Sequence, residues 1–470
     1  MPAPPPLTLS ASLATDRPEA LLFPGNSVTI ELEAAVHPVE AKNWDSLQVR
    51  LSANLAEGVT KIPIKTSIPK PKLGSVPLVL NKWYPAKELG ITAAKPSVKI
   101  IIEHQGFTRE PLVLTGEVQS PQAAASATTA HFPVNCAAFD LADIQDPADA
   151  KDDQTVEEGA TVLLTHLEEA GRPLPVMPRL VARVYGLPNT YTVHWRLTCR
   201  YPKRGNLDAV TFPREGWLDL PATESWKVFS AYFGQFFGGN ASLSFEVIAP
   251  GAKAKAKAVY RGTRNFKIFS QNPKDQTTRD YIKSRCGEFW YAWAIAQHES
   301  RQWKEVYNQF NERGKALKEP NFGPPDGWGV FQIDSARGET VKTREVWDLR
   351  ENVFAAIDEF KTAKEDSRKF MDAVKRTYPD SFEGPPPPYT PPGCHTALTW
   401  EEASILELYN GAAVMMKLKN SEGRYSFYRS CWRFLPHNPS GKRWVFVRNR
   451  NNYVYKVVHD EIEGQMETVE

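Results

Sequence analysis

The stretch AIAQHESRQW, residues 294–303, places a glutamate at the end of an apolar helical stripe. If residues 287–299 form a helix, Glu299 shares one face with three apolar residues at spacings of three and four, namely Ala292, Ile295 and Ala296. A carboxyl group desolvated on such a face has a raised pKa and keeps its proton near neutral pH, as a general acid requires. The alternative is a glutamate at a frayed helix end, pointing into solvent or pairing with Arg301.

A second segment with binding chemistry follows about thirty residues later, in PPDGWGVFQID, residues 324–334. Its Pro-Pro-Asp-Gly start predicts a turn, and glycines at 327 and 329 allow backbone to approach a ligand closely. Gln332 lies in the short apolar run after them. Its amide both donates and accepts hydrogen bonds, which suits the hydroxyl and N-acetyl groups of a sugar.

Two further helices are predicted to position these residues. WDLRENVFAAIDEF, residues 347–360, begins with a capping-box spacing of Asp348 and Glu351. Its apolar residues form a core stripe, namely Leu349, Val353, Ala356, Ile357 and Phe360. LTWEEASILELYNGAA, residues 398–413, has the same spacing in Thr399 and Glu402, with Tyr409 and Asn410 inside the helix. Such a Tyr-Asn pair is usually explained by packing with one satisfied amide, so alone it is weak support for a binding site.

The rest of the chain is predicted to be mostly strand. Short β-type runs such as SVTIELEAAV and SVKIIIEH predict a sandwich domain over residues 1–117, and 118–133 is typical of a linker. A second β-rich domain is expected over 134–270 and a helical region over 271–470. Near the end of the second β-rich domain, lysines 253, 255 and 257 alternate with alanines. This alternation indicates either a basic stripe that binds an anionic polymer or a solvated edge strand.

Composition excludes several classes of partner. A net charge of +2 over 470 residues gives no field that would favour nucleic acid. No run of about 18 apolar residues is present, so we expect no membrane span. Five scattered cysteines without C-x-x-C spacing support neither zinc nor a disulfide framework. We expect neither a metal nor a cofactor. A Cys/His hydrolase built on the adjacent Cys394 and His395 is disfavoured, because sequence neighbours seldom face each other productively.

Five segments, taken in order, resemble motifs of the soluble lytic transglycosylase and goose-type lysozyme superfamily. AQHESR resembles the catalytic Glu-Ser motif, GWGVFQID the Gly-x-Gly-Leu-Met-Gln-Val-Asp segment, and ENVFAA the Asn-Ile-x-x-Gly helix. LYNGA resembles the Ala-Tyr-Asn-Ala-Gly motif, and NNYVYKVVHDEI the closing Tyr-Val-x-x-Val stretch. The resemblance covers roughly residues 280–462. It implies an α-helical lysozyme-like domain and says nothing direct about residues 1–270. Together with the strand patterns, the expected fold class is a multidomain chain in which two N-terminal all-β, Ig-like sandwich domains precede that helical domain.

The same resemblance implies a glycosidase that cleaves the β-1,4 bond between N-acetylmuramic acid and N-acetylglucosamine in peptidoglycan. Glu299 would be the general acid, and six residues would bind substrate, namely Ser300, Gly329, Phe331, Gln332, Tyr409 and Asn410. Asp334 would position water, or else cap a helix, and Asp326 is a second candidate carboxylate. Hydrolysis and 1,6-anhydro formation both stay open. The proline-rich insert 379–400, unlike compact family members, suggests a stiff rim loop or a docking site.

The N-terminus lacks the basic and apolar regions of a signal peptide, which raises the question of delivery. We expect synthesis in a bacterial cytoplasm and action in the periplasm or cell wall, as an antibacterial effector of a type VI-like secretion system. The alternatives are a phage tail or lysis component and a signal-less export route. Peptidoglycan strands, a secretion spike bound by the β-domains and an immunity protein are the expected partners. A different class of function is a catalytically silent glycan-binding or structural protein.

Overall fold

The structure is a computed structural model of the 470-residue chain. It describes the following residues: 7–14, 20–54, 62–70, 74–106, 111–123, 127–128, 132–143, 154–169, 172–219, 225–228, 236–251, 258–302, 306–315, 317–334, 341–411, 414–419, 423–438, 441–448 and 452–464. The lysine alternation at 253, 255 and 257 lies outside these residues.

The first unit, residues 7–136, consists of two facing β-sheets. Its elements are β1 (Thr8–Ala14), β2 (Ala20–Leu22), β3 (Ser27–His37), α1 (Ala41–Asp45), β4 (Gln48–Asn54), β5 (Ile64–Lys70), β6 (Gly74–Pro77), β7 (Tyr84–Pro85), β8 (Ser97–His104), β9 (Leu112–Gln119), β10 (Ala127–Thr128) and β11 (Phe132–Cys136). One sheet has the order β1-β3-β8-β5-β6 and the other β2-β11-β9-β4-β7, with β10 paired to β9. Alternation on β3 buries Ile30, Leu32 and Ala34, which share one core with Leu114 of β9.

The second unit, residues 138–270, also contains two sheets. Its strands are β12 (Ala138–Asp143), β13 (Gln154–Thr155), β14 (Thr161–Glu169), β15 (Arg172–Val176), β16 (Leu180–Tyr185), β17 (Thr192–Tyr201), β18 (Val210–Asp219), β19 (Ser225–Lys227), β20 (Gly239–Ile248) and β21 (Tyr260–Ser270). The orders are β13-β12-β16-β19 and β15-β14-β21-β20-β17-β18. A stack of Phe23 on Tyr260, 4.3 Å between ring centroids, joins this unit to the first.

The C-terminal region, residues 271–464, mixes helices with short hairpins. Its helices are α2 (Asp275–Cys286), α3 (Ala292–Ser300), α4 (Thr343–Trp347), α5 (Leu349–Thr377), α6 (Trp400–Tyr409) and α7 (Tyr453–Lys456), and a π-helical turn over Val457–Glu463 continues α7. Its strands are β22 (Phe322–Gly323), β23 (Gly327–Trp328), β24 (Val414–Lys419), β25 (Tyr425–Ser430), β26 (Trp432–Phe434) and β27 (Trp444–Phe446), which pair as three two-stranded sheets.

The predicted fold class, two all-β Ig-like domains followed by an α-helical lysozyme-like domain, is wrong. The protein is mostly β, with 43% strand and 24% helix, and its described residues form seven sheets and seven helices. Strands interrupt the predicted helical region both before Tyr409, in the β22–β23 hairpin, and after it. Helix α6 ends at Tyr409 because Gly411 adopts a left-handed φ of 73°, and the following VMMKLK alternates as a strand.

One core runs through the second unit and the C-terminal region. The Trp347 indole of α4 lies edge-on to Tyr201, 5.4 Å between ring centroids, and 6.0 Å from Phe237. Gly238 leaves room for this indole, since a Cβ there would lie 2.5 Å from Trp347 Cη2. Buried residues of both parts therefore belong to the same hydrophobic cluster. The domain boundaries proposed from the sequence stay predictions.

Helix α5 is the scaffold of the C-terminal region. The whole predicted stripe, Leu349, Val353, Ala356, Ile357 and Phe360, is buried. Asp348 caps the helix by accepting a hydrogen bond from Arg350 N. The proline-rich insert 379–400 lies against β26 and β27: Tyr389 stacks on Phe446 at 4.0 Å, and Trp444 Nε1 donates to Gly384 O at 3.0 Å. None of the helices described is both long and apolar enough for a membrane crossing.

Candidate active site

Helix α3 presents Glu299 beside a cleft. The helix begins at Ala292, not at residue 287, because Gly287 terminates α2 with a φ of 51°. Its predicted apolar stripe is fully buried. Glu299, one turn further on the same face, is only partly buried and lines the cleft. The helix therefore ends in a carboxyl group that stands between the core and the solvent.

The surroundings of Glu299 favour its protonated form. Burial raises the pKa of this carboxyl, and the negative charge of Asp334 raises it further. Two neighbours act in the opposite direction: Tyr453 donates a hydrogen bond to the carboxyl, and His298 contributes positive charge. Desolvation is the largest of these effects, so the pKa of Glu299 stays above its ordinary value. The group retains its proton to a higher pH than an exposed glutamate.

Tyr453 is the direct partner of this carboxyl. Its hydroxyl lies 2.6 Å from Glu299 Oε1, and its ring is buried at the start of α7. Burial raises the pKa of Tyr453 well above its ordinary value, and the charge of Glu299 adds to the shift. The phenol is therefore a neutral donor at physiological pH. The ring of His298 lies edge-on to it at 5.3 Å.

The end of α3 is fixed by Glu461, a buried carboxylate in the π-helical turn. Glu461 accepts a hydrogen bond from Gln297 Nε2 at 2.6 Å and pairs with Arg301 at 3.3 Å and His298 at 3.5 Å. The C-terminal turn thus holds the residues on both sides of Glu299. This contact spans more than 160 residues of sequence, from α3 to the closing motif.

Ser300, a predicted substrate contact, lies outside the cleft lining. Its side chain is buried, donates to Ala296 O at 2.7 Å and accepts from Asn308 N at 3.0 Å. These bonds connect the last turn of α3 to the following loop. In this structure Ser300 supports the helix end, and its predicted contact with substrate stays a prediction.

Gln332 packs against the β22–β23 hairpin, which contains Gly323 and Gly327 and is called the glycine hairpin below. The φ of Gln332 is 50°, its Nε2 donates to Gly329 O at 2.7 Å, and its Oε1 faces Gly323 and Gly327. A Cβ on Gly327 would lie 2.8 Å from that oxygen, so both glycines are needed for the side chain to lie there. Gly329 itself does not line the cleft. It forms the turn beneath, with a φ of 74° and with Asn352 and Gln309 closing over it.

Tyr409 and Asn410 reach the cleft from the end of α6. The Thr399–Glu402 capping box predicted from the sequence starts that helix. The Tyr409 hydroxyl donates to the carbonyl of Phe331, and its ring lies 5.1 Å from Phe360 of α5. Residues from α6, α5 and the glycine hairpin are therefore joined at one wall of the cleft.

The cleft collects most of the predicted residues in a cavity of about 250 Å³. Six of the nine line it, namely Glu299, Phe331, Gln332, Asp334, Tyr409 and Asn410. Asp334 is exposed. Asp326, the second candidate carboxylate, does not line the cleft but points at the second unit, where a Cβ on Gly205 would lie 2.7 Å from its Oδ1.

Three residues with polar side chains at the site were missed in the sequence. Glu359 of α5 and Arg429 of β25 line the cleft, and Tyr453 contacts the acid. Glu359 adjoins Phe360 of the predicted core stripe, and Tyr453 lies within the closing motif. Both residues were therefore next to or inside patterns that the sequence shows. Arg429 could have been found only by recognising YSFYRS as a strand whose alternate residues share a face.

Comparison with protein-family models gives no match, and comparison with curated proteins gives none either. The resemblance to transglycosylases and goose-type lysozymes therefore depends on the order of the five motifs alone.

Proposed function

We propose that this protein cleaves the glycan strands of peptidoglycan at the β-1,4 bond between N-acetylmuramic acid and N-acetylglucosamine. The observation that carries the proposal is the position of Glu299, a carboxyl group with a raised pKa that lines a polar cleft. Residues from three separate motifs, at 299, 332 and 409, line the same cleft. Such convergence is the expected geometry of a glycosidase site.

In the proposed reaction the protonated Glu299 donates its proton to the glycosidic oxygen as the C–O bond breaks. Positive charge develops on the anomeric carbon, and the leaving sugar departs with the proton as its hydroxyl. The resulting Glu299 carboxylate is stabilised by the hydrogen bond from Tyr453. Burial of Glu299 thus favours the protonated acid before the step, and the hydrogen bond from Tyr453 stabilises the carboxylate after it.

The charged sugar can then be captured in two ways. In a hydrolase a water molecule attacks the anomeric carbon and gives one proton to a carboxylate. In a transglycosylase the sugar's own 6-hydroxyl attacks that carbon and gives its proton to the Glu299 carboxylate, which restores the acid. Asp334 at the rim and Glu359 of α5 supply carboxylates that could activate water, which supports hydrolysis. Mass spectrometry of the released muropeptides measures the outcome directly, because hydrolysis adds one water relative to the anhydro product.

The test of the proposal is Glu299→Gln, assayed by release of soluble fragments from purified, dye-labelled sacculi. A general acid contributes roughly 10²- to 10⁴-fold to rate, so we expect a loss of that order. Glu365→Gln is the matched control, since that exposed carboxylate of α5 pairs only with Lys369 in the described structure. Full activity of Glu299→Gln would remove the proposal. Effector delivery, spike docking and an immunity protein stay predictions from the sequence.

A further inference from the structure

The β24–β25 hairpin has one buried and one exposed face. Met416 and Leu418 point into the core, and Tyr428 lies 6.1 Å from Phe370. The antiparallel register places six other residues on the opposite side, in the cross-strand pairs Met415–Arg429, Lys417–Phe427 and Lys419–Tyr425. We call this side the hairpin face.

The hairpin face exposes large apolar side chains beside cations. The exposed fractions are 55% for Met415, 53% for Tyr425 and 60% for Phe427. Lys417 Nζ lies 3.9 Å from the centroid of the Tyr425 ring and 5.9 Å from that of Phe427. Neither strand contains an acidic residue. A single exposed aromatic needs no explanation, but a face of aromatics interleaved with cations is typical of a binding surface.

This face is continuous with the cleft. Arg429 belongs to the hairpin face through its pairing with Met415, and it also lines the cavity that contains Glu299. A polymer that leaves the cleft on this side therefore meets Arg429 first and the rings of Phe427 and Tyr425 after it.

We propose that the hairpin face binds the acidic, peptide-bearing glycan strand beyond the cleavage site. The inference deepens the proposed function and rests on it. The apolar faces of pyranose rings stack on tyrosine and phenylalanine, and carboxylates pair with lysine and arginine. A strand of peptidoglycan offers both groups, because its muramyl sugars carry a lactyl carboxyl that is either free or extended by a peptide stem ending in carboxylates.

The test measures binding of the full chain carrying Glu299→Gln, which should hold the strand without cutting it. Its affinity for purified sacculi is compared with that of the same chain carrying Tyr425→Ala and Phe427→Ala as well. Loss of two exposed ring contacts should weaken binding at least about ten-fold. Trp217→Ala is the matched control, because that ring is 59% exposed but lies on β18 of the second unit. Thermal unfolding checks that each variant is folded.

Charge is tested separately. Lys417→Ala with Lys419→Ala should weaken binding at low ionic strength and approach the parent chain at 1 M salt, where charges are screened over about 3 Å. Sacculi whose carboxyl groups have been converted to neutral amides should bind less tightly than untreated sacculi, because they keep the sugars and lose the charges that pair with lysine and arginine. Equal affinity for both preparations, or an aromatic double variant within about two-fold of its parent, overturns the proposal.

Anionic lipid vesicles are the competing occupant of an aromatic and cationic face. If removal of the Phe427 ring weakened binding to phosphatidylglycerol vesicles but left binding to sacculi unchanged, that result would also overturn the proposal. The two proposals fail separately. A chain with unaltered Glu299 that releases no muropeptides but binds sacculi through Phe427 refutes the enzyme and supports the hairpin face, whereas active chains insensitive to the aromatic substitutions refute only the latter.

Discussion

At the level of single residues, opposing neighbours set the proton affinity of Glu299. Burial and Asp334 raise its pKa, whereas Tyr453 and His298 lower it. Burial keeps the Tyr453 phenol neutral, and its donated hydrogen bond stabilises the charged carboxylate more than the protonated acid. The acid is thereby protonated enough to donate and is still stabilised after it has done so.

Tyr453→Phe removes the donor with little change of volume. Without the hydrogen bond the carboxylate is less stable, so the pKa of Glu299 rises further and the acid stays protonated to higher pH. We therefore expect the alkaline limb of the pH–rate profile to move to higher pH. Tyr455→Phe is the control, since its ring stacks on His459 instead. An unmoved alkaline limb in Tyr453→Phe would assign Tyr453 to packing alone.

At the level of elements, the three hairpins of the C-terminal region were not predicted from local sequence patterns. The stripe of α5 and the capping box of α6 could be predicted, because each depends on residues within three or four positions. Tyr409 and Asn410 were both predicted to lie inside the helix, whereas α6 ends at Tyr409 and Gly411 has a left-handed φ, so the strand after it was not recognised. Tyr453 was not assigned to the acid because 154 residues separate the two, and a contact of that range follows from tertiary packing.

Gly323→Ala tests the glycine hairpin that supports Gln332. A methyl group there would collide with Gln332 Oε1, which must move out of its place in the cleft wall. Overpacking of this kind costs about 1–3 kcal/mol, and we expect activity to fall by more than the loss of folded protein accounts for. Sacculus release and thermal unfolding measure the two effects. Gly464→Ala is the control, because its Cβ would make an ordinary 3.5 Å contact.

At the level of the whole molecule, the second unit supports the cleft. Arg204 pairs with Glu319 at 3.2 Å and lies over the Phe322 ring at 4.6 Å, next to the glycine hairpin. Gly205 approaches Asp326 in the same place. Together with the shared cluster around Trp347, these contacts make the wall of the site depend on a β-sheet that precedes it in sequence. Local patterns gave no sign of this dependence, since the composition changes sharply near residue 272.

Gly238→Ala should therefore destabilise both parts together. The new methyl group would collide with Ile268 O and with the Trp347 indole, at a cost of about 1–3 kcal/mol in the free energy of unfolding. Amide hydrogen exchange should quicken in α5 as well as in β20. Gly106→Ala, whose Cβ would make 3.6 Å contacts in the first unit, is the control. Faster exchange confined to β20 would mean that the two parts unfold independently.

The placement of the cysteines makes their alkylation a measure of local unfolding. All five thiols are free and buried, Cys136 in the core of the first unit and the others in the shared core. Burial raises the pKa of Cys136 and Cys199 to about 12, so the reactive thiolate is scarce at neutral pH. An alkylating reagent can mark a sulfur only after its interior has been breached. A peptide digest that identifies the alkylated cysteines would show whether the core of the first unit or the shared core unfolds first.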